Sequence, residues 1–238
     1  MPYICLDFFG EFSRFAREAR ADKGEAVPFF DHFDLIRIVN LPERADRRRE
    51  MNRELSKIGL RDDPRVRYFA AIRPEARHDF TSIGARGVYE SHKQLLREAT
   101  EQNKSVLILE DDCSFRRDAS DYVSDGKWDI FYGGYYATSP DDLVHSDIIG
   151  AHMMGFSKEG ARRVSNYFKA LEYEGTHPPI DAAYVWFRRA FPAVSTEFAI
   201  PPMAHQRSSK SDIAPPKPWD KFPGINALRR LRNHLSRR

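Results

Sequence analysis

The sequence contains few cysteines and no long apolar run, and each shortage excludes a class of protein. Only Cys5 and Cys113 are cysteines among 238 residues, too far apart for a disulfide framework or a paired metal-thiolate motif. The longest purely aliphatic run, Val106 to Leu109, has four residues, whereas a transmembrane helix needs about 20. The N-terminal segment lacks the basic start and the apolar stretch of a secretory signal. We therefore expect a cytoplasmic protein.

Charge and proline are unevenly distributed along the chain. The net charge of +3 is the sum of +6 in residues 215–238 and −3 in the remainder. Because the remainder is slightly acidic, the overall basic excess does not indicate nucleic-acid binding. The segment IAPPKPWDKFPG has the composition of a stiff linker. We therefore predict an N-terminal extension (1–33), a domain (34–214), and a linker with a basic tail (215–238).

The basic tail is also amphipathic. On a helical projection its aliphatic residues fall in one stripe, made of Ile225, Leu228, Leu231 and Leu235. This pattern is typical of a helix that lies in a membrane interface. It predicts a peripheral contact with an anionic membrane surface, at the inner face for a cytoplasmic protein. A frayed basic terminus is the alternative that the pattern leaves open.

From Asp34 onward, strand-like segments alternate with helix-like segments. LIRIVN and SVLIL are short, apolar and β-branched, whereas ERADRRREMNRELSKIG and VYESHKQLLREATEQ carry apolar residues at helical spacing. Further strands are predicted in VRYFAAI, DIFYGG, IIGAHMMGF and AVSTEFAI, and further helices after Ser157 and over 181–189. This alternation predicts an α/β, Rossmann-like fold, whose mainly parallel sheet is flanked by helices. Functional residues are then expected at the carboxyl ends of the strands.

An acidic triplet, Glu110, Asp111 and Asp112, follows the SVLIL strand without a spacer. Alternation along an extended chain sends Glu110 and Asp112 to the same side. Two carboxylates at a sheet edge suit a hard divalent cation that carries a pyrophosphate. The alternative is an ordinary solvated loop.

A second polar segment, Asn40 to Arg44, follows the LIRIVN strand. Asn40 ends the strand and Pro42 lies near the first helical turn, which leaves backbone amides free beside Arg44. Helix N-termini attract phosphate groups, so Asn40, Leu41 and Arg44 are candidate ligands of a nucleotide. A helix start with a solvated basic face explains the segment equally well.

Three more residues are candidate contacts for the same ligand. Ser91 and His92 lie early in the second predicted helix, and Gly155 lies in IIGAHMMGF, where a close backbone approach would admit a sugar. His92 falls on the apolar phase of its helix, so a buried structural histidine is the alternative. For Gly155 the alternative is tight packing.

The order of motifs resembles glycosyltransferase family 25, the lipooligosaccharide sugar transferases that include bacterial galactosyltransferases and the collagen galactosyltransferases. The matching blocks are IVNLPERADRR, GARGVYESH, SVLILEDD, GAHMMGFSKEGARRV, HPPIDAAY and HQRSSKSDI. Together they extend over about Asp34 to Ile213. The second block departs from the family pattern GExGCxxSH, because Ala85 replaces its glutamate and Val88 replaces its cysteine.

The resemblance implies a GT-A type fold and an inverting transfer of a hexose, galactose or glucose, from a UDP-sugar. The implied cofactor is a divalent cation such as Mn²⁺, and the implied acceptor is a glycan or lipid-linked oligosaccharide of lipopolysaccharide or another surface glycan. By the family motif Asp112 is the direct metal ligand, and Glu110 or Asp111 assists at the metal or the ribose. His205 completes the metal shell, as the late histidine does in many GT-A enzymes; a surface or core histidine is the alternative for His205.

An inverting transfer needs a base that takes the proton of the acceptor hydroxyl. Asp181, in HPPIDAAY at the start of a helix, is the candidate, and Glu90 and Asp111 compete with it. A carboxylate that merely favours the helix dipole is the alternative for Asp181. Two other functions stay open for the whole chain, a metal-dependent phosphoryl or nucleotidyl transferase and an inactive glycan- or lipid-binding relative.

Overall fold

A six-stranded sheet forms the centre of the protein in the computed structural model, which describes residues 27–207. The strands are numbered in chain order, and their spatial order is β3 (Val66–Ala70), β2 (Leu35–Asn40), β4 (Val106–Glu110), β8 (Ile148–Phe156), β7 (Ile130–Ala137) and β9 (Thr196–Phe198). Strand β2 pairs in parallel with β3 and β4, and β7 pairs in parallel with β9, whereas β8 is antiparallel to β4 and β7. One reversed strand leaves the sheet mainly parallel, which confirms the predicted fold class.

Within residues 27–207, four helices cover this sheet: α1 (Ala45–Lys57), α2 (Ile83–Glu101), α3 (Lys158–Lys169) and α4 (Ile180–Ala190). The helix predicted after Ser157 is confirmed as α3, and Ser157 caps it, since its hydroxyl accepts a hydrogen bond from the Gly160 amide at 2.9 Å. Ser82 caps α2 in the same way. The same part of the chain also forms two short 3₁₀ helices, Phe29–His32 and Ala119–Asp121.

Four short strands lie outside the main sheet. Strand β1 (Val27–Pro28) pairs with β6 (Val123–Ser124), and β5 (Cys113–Phe115) pairs with β10 (Ala204–Gln206), both antiparallel. The sequence pattern did not predict them, because two or three residues show no period. The β5–β10 pair matters for function, since β5 directly follows the acidic triplet.

The core consists of two hydrophobic clusters, one on each face of the sheet. Val106 and Ile108 of β4 face the cluster that contains α2, α3 and α4, whereas Leu107 and Leu109 face the cluster that contains α1. This alternation explains the uninterrupted apolar run of β4, since a strand buried on both faces has no polar side.

The second cluster includes residues that the sequence pattern assigned to the N-terminal extension. Phe29, Phe30 and Phe33 are buried there, and the ring centroids of Phe29 and Phe131 lie 4.2 Å apart. Residues 29–33 of the predicted extension therefore pack against the domain. The basic tail and the Ser211 to Ile213 part of the last family block lie outside the described residues.

Membrane-spanning helices are absent from residues 27–207. No helix in that part of the chain combines the length and the apolar character that crossing a bilayer requires.

Candidate functional site

The acidic triplet lies at the carboxyl edge of the sheet and is held there by α1. Asp111 accepts a hydrogen bond from the Asn40 amide at 2.8 Å and one from Arg47 at 2.7 Å. Asn40 ends β2 and also reaches the main-chain oxygen of Arg44 at 3.4 Å. The two polar segments predicted from the sequence therefore meet, and Asn40 joins them.

Asp112 has a different environment. One of its carboxylate oxygens, Oδ2, faces Arg47 at 3.5 Å and the Gln206 amide at 3.3 Å. The other oxygen, Oδ1, is buried and finds no hydrogen-bond partner among residues 27–207. Burial raises the pKa of this carboxyl, against the opposing charges of Arg47 and Arg207. A buried carboxylate oxygen without a donor is a position where a cation or a ligand hydrogen would be stabilising.

The turn that carries these residues is fixed through its main chain by Arg207. The Arg207 guanidinium donates to the main-chain oxygens of Asp111 and Cys113, both at 2.5 Å. The backbone N–H of Arg207 donates to the main-chain oxygen of Asp112 at 2.7 Å. Arg207 is itself buried. The side chains of Asp111 and Asp112 are therefore left for other contacts while their backbone is held.

Glu110 points to the other face of the sheet, toward α2 and α4. Its carboxylate lies 3.9 Å from Nε2 of His92, and Nδ1 of His92 lies 2.9 Å from the Tyr184 hydroxyl. Burial, followed by the charges of Asp112, Asp111 and Asp181, raises the pKa of Glu110 well above its usual value. Burial lowers the pKa of His92 to about 3, so this histidine is neutral at pH 7.

The sequence predicted that Glu110 and Asp112 point to the same side of the strand, and the structure places them differently. Strand β4 ends at Glu110, so strict alternation stops there and Asp112 shares Arg47 with Asp111 instead. The three carboxylates remain electrostatically coupled, as the effect of Asp111 and Asp112 on the pKa of Glu110 shows.

Asp181 lies at the start of α4, as the sequence predicted, and reaches the beginning of β8. Its Oδ2 accepts from the Gly150 amide and its Oδ1 from the Ala182 amide, both at 2.9 Å. Gly150 has a φ of +89°, a conformation that favours glycine. Asp181 is half-buried and its charge acts on Glu110. A fixed carboxylate thus lies beside the acidic triplet.

A cleft of about 800 Å³ opens next to this edge. It is lined by Leu41, Glu43 and Arg44 after β2, by 71–75 after β3, and by the start of α2. Its volume lies in the range of small-molecule sites, roughly 300–1,000 Å³. Leu41 and Arg44, predicted as nucleotide contacts, lie in its wall.

Three predicted donor contacts lie elsewhere. Ser91 and His92 are fully buried; the Ser91 hydroxyl accepts from the Ile72 amide at 2.9 Å and donates to the Gly87 oxygen at 2.7 Å, so it holds the wall of the cleft without lining it. Gly155 lies inside the sheet, where a Cβ would come within 2.7 Å of the Phe33 ring. In this structure the packing alternatives describe His92 and Gly155, and the direct donor contacts of the three residues stay predictions.

The predicted metal ligands do not form a ready-made metal site. In the part of the chain that the structure describes, no group of three or more histidine, cysteine, aspartate or glutamate side chains is placed to hold an ion. His205 lies in β10, opposite Ser114 of β5. Asp112 nevertheless fits a cation that a substrate diphosphate also binds, since Mg²⁺-type ions commonly take one or two carboxylates and complete their shell with phosphates.

The sequence pattern missed the residues that hold the site together. Arg47, Arg207 and Tyr184 contact Asp111, the acidic turn and His92 respectively. Arg47 shares a helix with other arginines, and no local pattern distinguishes it from them. The partners of Arg207 lie more than 90 positions earlier in the chain.

Comparison with known proteins gives distant similarities. No protein-family model and no curated protein matches the chain. A solved glycosyltransferase involved in the glycosylation of the major capsid of PBCV-1 is 11% identical, with a TM-score of 0.45 over 74% of this chain and 94% of the other. A putative glucose-1-phosphate thymidylyltransferase from Bacillus anthracis is 11% identical, with a TM-score of 0.39 over 79% and 72%.

A third solved structure is a 4-diphosphocytidyl-2C-methyl-D-erythritol synthase from Anaerococcus prevotii DSM 20548. It is 13% identical, with a TM-score of 0.42 over 84% of this chain and 99% of the other. TM-scores below 0.5 at these identities are too low to assign a family or an activity.

Proposed function

We propose that the protein is an inverting glycosyltransferase that moves a hexose, galactose or glucose, from a UDP-sugar to a hydroxyl of a glycan acceptor. The acceptor proposed is a lipopolysaccharide or another surface glycan, presented as a lipid-linked oligosaccharide at the inner face of a membrane. The support is the site described above together with the order of the sequence motifs.

One observation carries the proposal. The acidic turn lies at the carboxyl edge of the central strand, with an unpartnered buried oxygen on Asp112, beside a cleft of ligand size. The bond that breaks in this reaction joins an anomeric carbon to a diphosphate, so the leaving group gains negative charge. A site that concentrates carboxylates repels that charge on its own, which is why the proposal includes a divalent cation.

Asp112 would hold this cation through Oδ1, with Glu110 or Asp111 assisting, and His205 is the proposed further ligand. When bound, the cation would neutralise charge on the departing diphosphate. Asp111 is already engaged by Asn40 and Arg47, so it is better suited to orient the turn than to change partners during a reaction. Burial, and after it the charges of Asp112, Asp111 and Asp181, raise the pKa of Glu110, and a nearby cation would offset the repulsion from those three carboxylates.

Asp181 would act as the base on the acceptor side. The amides of Gly150 and Ala182 hold its carboxylate in one orientation, which suits a group that must meet a hydroxyl at hydrogen-bond distance. Its carboxylate lies on α4, away from the β2 and β3 loops that line the cleft. Donor and acceptor would then approach the acidic turn from different sides.

The experiment that tests the proposal is a panel of nucleotide sugars given to the full chain, with Mn²⁺ and with excess chelator. We expect Mn²⁺-dependent release of UDP from one UDP-hexose, and transfer with inversion once an acceptor glycan is supplied. Turnover of a nucleoside triphosphate without any sugar donor would instead indicate a phosphoryl or nucleotidyl transferase. Absence of turnover of any donor would indicate a binding protein.

A further inference from the structure

A second pocket lies on the α1 side of the sheet, outside the cleft described above. It has a volume of about 440 Å³ and lies between α1 and the edge strand β3. Arg48 and Asn52 of α1, Arg61 of the following connection, and Tyr68 of β3 contribute its polar side chains. We call it the arginine pocket.

The arginine pocket is lined by cationic and neutral residues alone. Two arginines, Arg48 and Arg61, contribute their side chains to it, and its lining includes no aspartate or glutamate. Nearby arginines are paired, for example Arg47 with Asp111 and Arg65 with Asp63. In residues 27–207, by contrast, no carboxylate forms an ion pair with either of these two arginines. Their charge is thus available to a ligand.

Tyr68 orders two of the polar side chains, Arg48 and Asn52. The Arg48 guanidinium carbon lies 4.2 Å from the centre of the Tyr68 ring, and the Tyr68 hydroxyl contacts the Asn52 oxygen Oδ1 at 2.8 Å. Since that oxygen is used by Tyr68, the NH₂ group of Asn52 is left as a donor. The pocket therefore combines partly ordered N–H donors with positive charge, the arrangement that recognises phosphate oxygens.

We propose that the arginine pocket binds the phosphate group of a ligand other than the nucleotide-sugar donor. The pocket touches the site through Asn40, which lines the pocket and also donates to Asp111. A phosphorylated molecule bound there would lie next to the acidic turn, on the side opposite the donor cleft. The phosphate could belong to the acceptor glycan or to a free phosphorylated metabolite; the chemistry of recognition is the same.

The test measures binding to the full chain by calorimetry at constant ionic strength, with inorganic phosphate and with a hexose phosphate as probes and chloride as the blank. The variants are Arg48→Gln and Arg61→Gln, and the matched control is Arg53→Gln, an exposed arginine of α1 outside the pocket. We expect each pocket variant to weaken phosphate binding about tenfold or more, since a hydrogen bond to a charged group contributes about 1.5–3 kcal/mol, and the control to bind as the wild type does.

The two probes distinguish the sources of the phosphate. Tighter binding of the hexose phosphate indicates a sugar-bearing ligand, and equal binding indicates that the phosphate group alone is recognised; both support the proposal. Absence of phosphate binding by the wild type, or an equal loss in Arg53→Gln, overturns it. Binding of the UDP-sugar is measured in parallel: a matching loss of donor affinity in the pocket variants would assign the arginines to the donor diphosphate and also overturn the proposal. None of these readouts needs transfer to occur.

Discussion

At the scale of single residues, Asp112 is the side chain whose replacement is most informative. Asp112→Asn keeps the shape and the acceptor oxygen but removes the charge. If stabilisation of the diphosphate by a cation contributes several kcal/mol, transfer should fall on the order of a hundredfold or more. The measurement is UDP release against Mn²⁺ concentration, with the exposed Asp121→Asn as control. Unchanged turnover, or full activity of the wild type in excess chelator, would contradict the assignment.

Asp181→Asn tests the other carboxylate. A general base contributes about 10²–10⁴-fold, so the transfer rate should fall by that order while the dissociation constant of the UDP-sugar stays nearly constant. Calorimetry gives the affinity and an acceptor assay gives the rate. Because Asp181 also binds the Gly150 amide, thermal unfolding of the variant serves as the folding control. A loss of donor affinity as large as the loss of rate would move Asp181 to the donor side.

Glu110→Gln should separate stability from activity. The pKa of Glu110 is raised in the folded state, so its contribution to stability is full below its unfolded pKa, near 4.5, and is lost as pH rises above it. The unfolding free energy of the variant should therefore rise relative to that of the wild type by about 1.4 kcal/mol per pH unit above pH 4.5, up to the folded pKa. The transfer rate of the variant should fall.

Urea unfolding between pH 4.5 and pH 8 measures this difference, and the exposed Glu172→Gln is the control. If the difference in unfolding free energy between Glu110→Gln and the wild type stayed constant across that range, folding would not raise the pKa of Glu110.

Residue roles were predictable only where local sequence determines them. Glu110 to Asp112 follow a strand directly, and a strand end places them at an edge whatever the rest of the chain does. Ser91 and His92 belong to the same family block as residues that line the cleft, but their helix turns them inward. The apolar phase of the helix offered this alternative for His92, whereas the contact of Ser91 with Ile72 has no local signal. Arg207 has no local signal, because its partners are distant in sequence.

At the scale of elements, the first turn of α3 offers a paired test. Ser157→Ala removes the helix cap and should cost about 1 kcal/mol of unfolding free energy. Gly160→Ala should cost more, about 3 kcal/mol, because its Cβ would lie 1.9 Å from the Asp129 carbonyl oxygen, a backbone atom that cannot rotate away. Urea unfolding of both variants measures which of the two loses more unfolding free energy. A Gly160→Ala variant as stable as the wild type would mean that α3 does not pack this closely on the strand.

Long, periodic elements were predictable, and short ones were not. The helices over 45–57 and 83–101 carry several turns of apolar spacing, and the strands of the main sheet carry apolar runs between turn residues. The β5–β10 pair depends on one strand meeting another about 90 residues away. The reversal of β8 also has no local signature, since a strand buried on both faces reads the same in either direction.

At the scale of the whole molecule, the basic tail is the part that would determine where the domain works. Deleting residues 215–238 should abolish salt-sensitive sedimentation with anionic vesicles, because each lysine or arginine near such a surface contributes about 1 kcal/mol. Transfer to a soluble acceptor should be unaffected. Neutral vesicles and high salt are the controls. A truncated protein that sediments as the full chain does would show that the anchor lies elsewhere.

The clamp that Arg207 forms on the acidic turn also has a consequence for synthesis of the chain. The guanidinium lies 96 residues after Asp111, so the ribosome completes the central strand long before it adds the residue that holds the turn. During that interval Arg47 can already pair with Asp111 and Asp112, but the main chain of the turn lacks the hydrogen bonds from Arg207. We therefore expect the site to mature late, when β10 pairs with β5, and the nascent domain to remain without an ordered acidic turn until then.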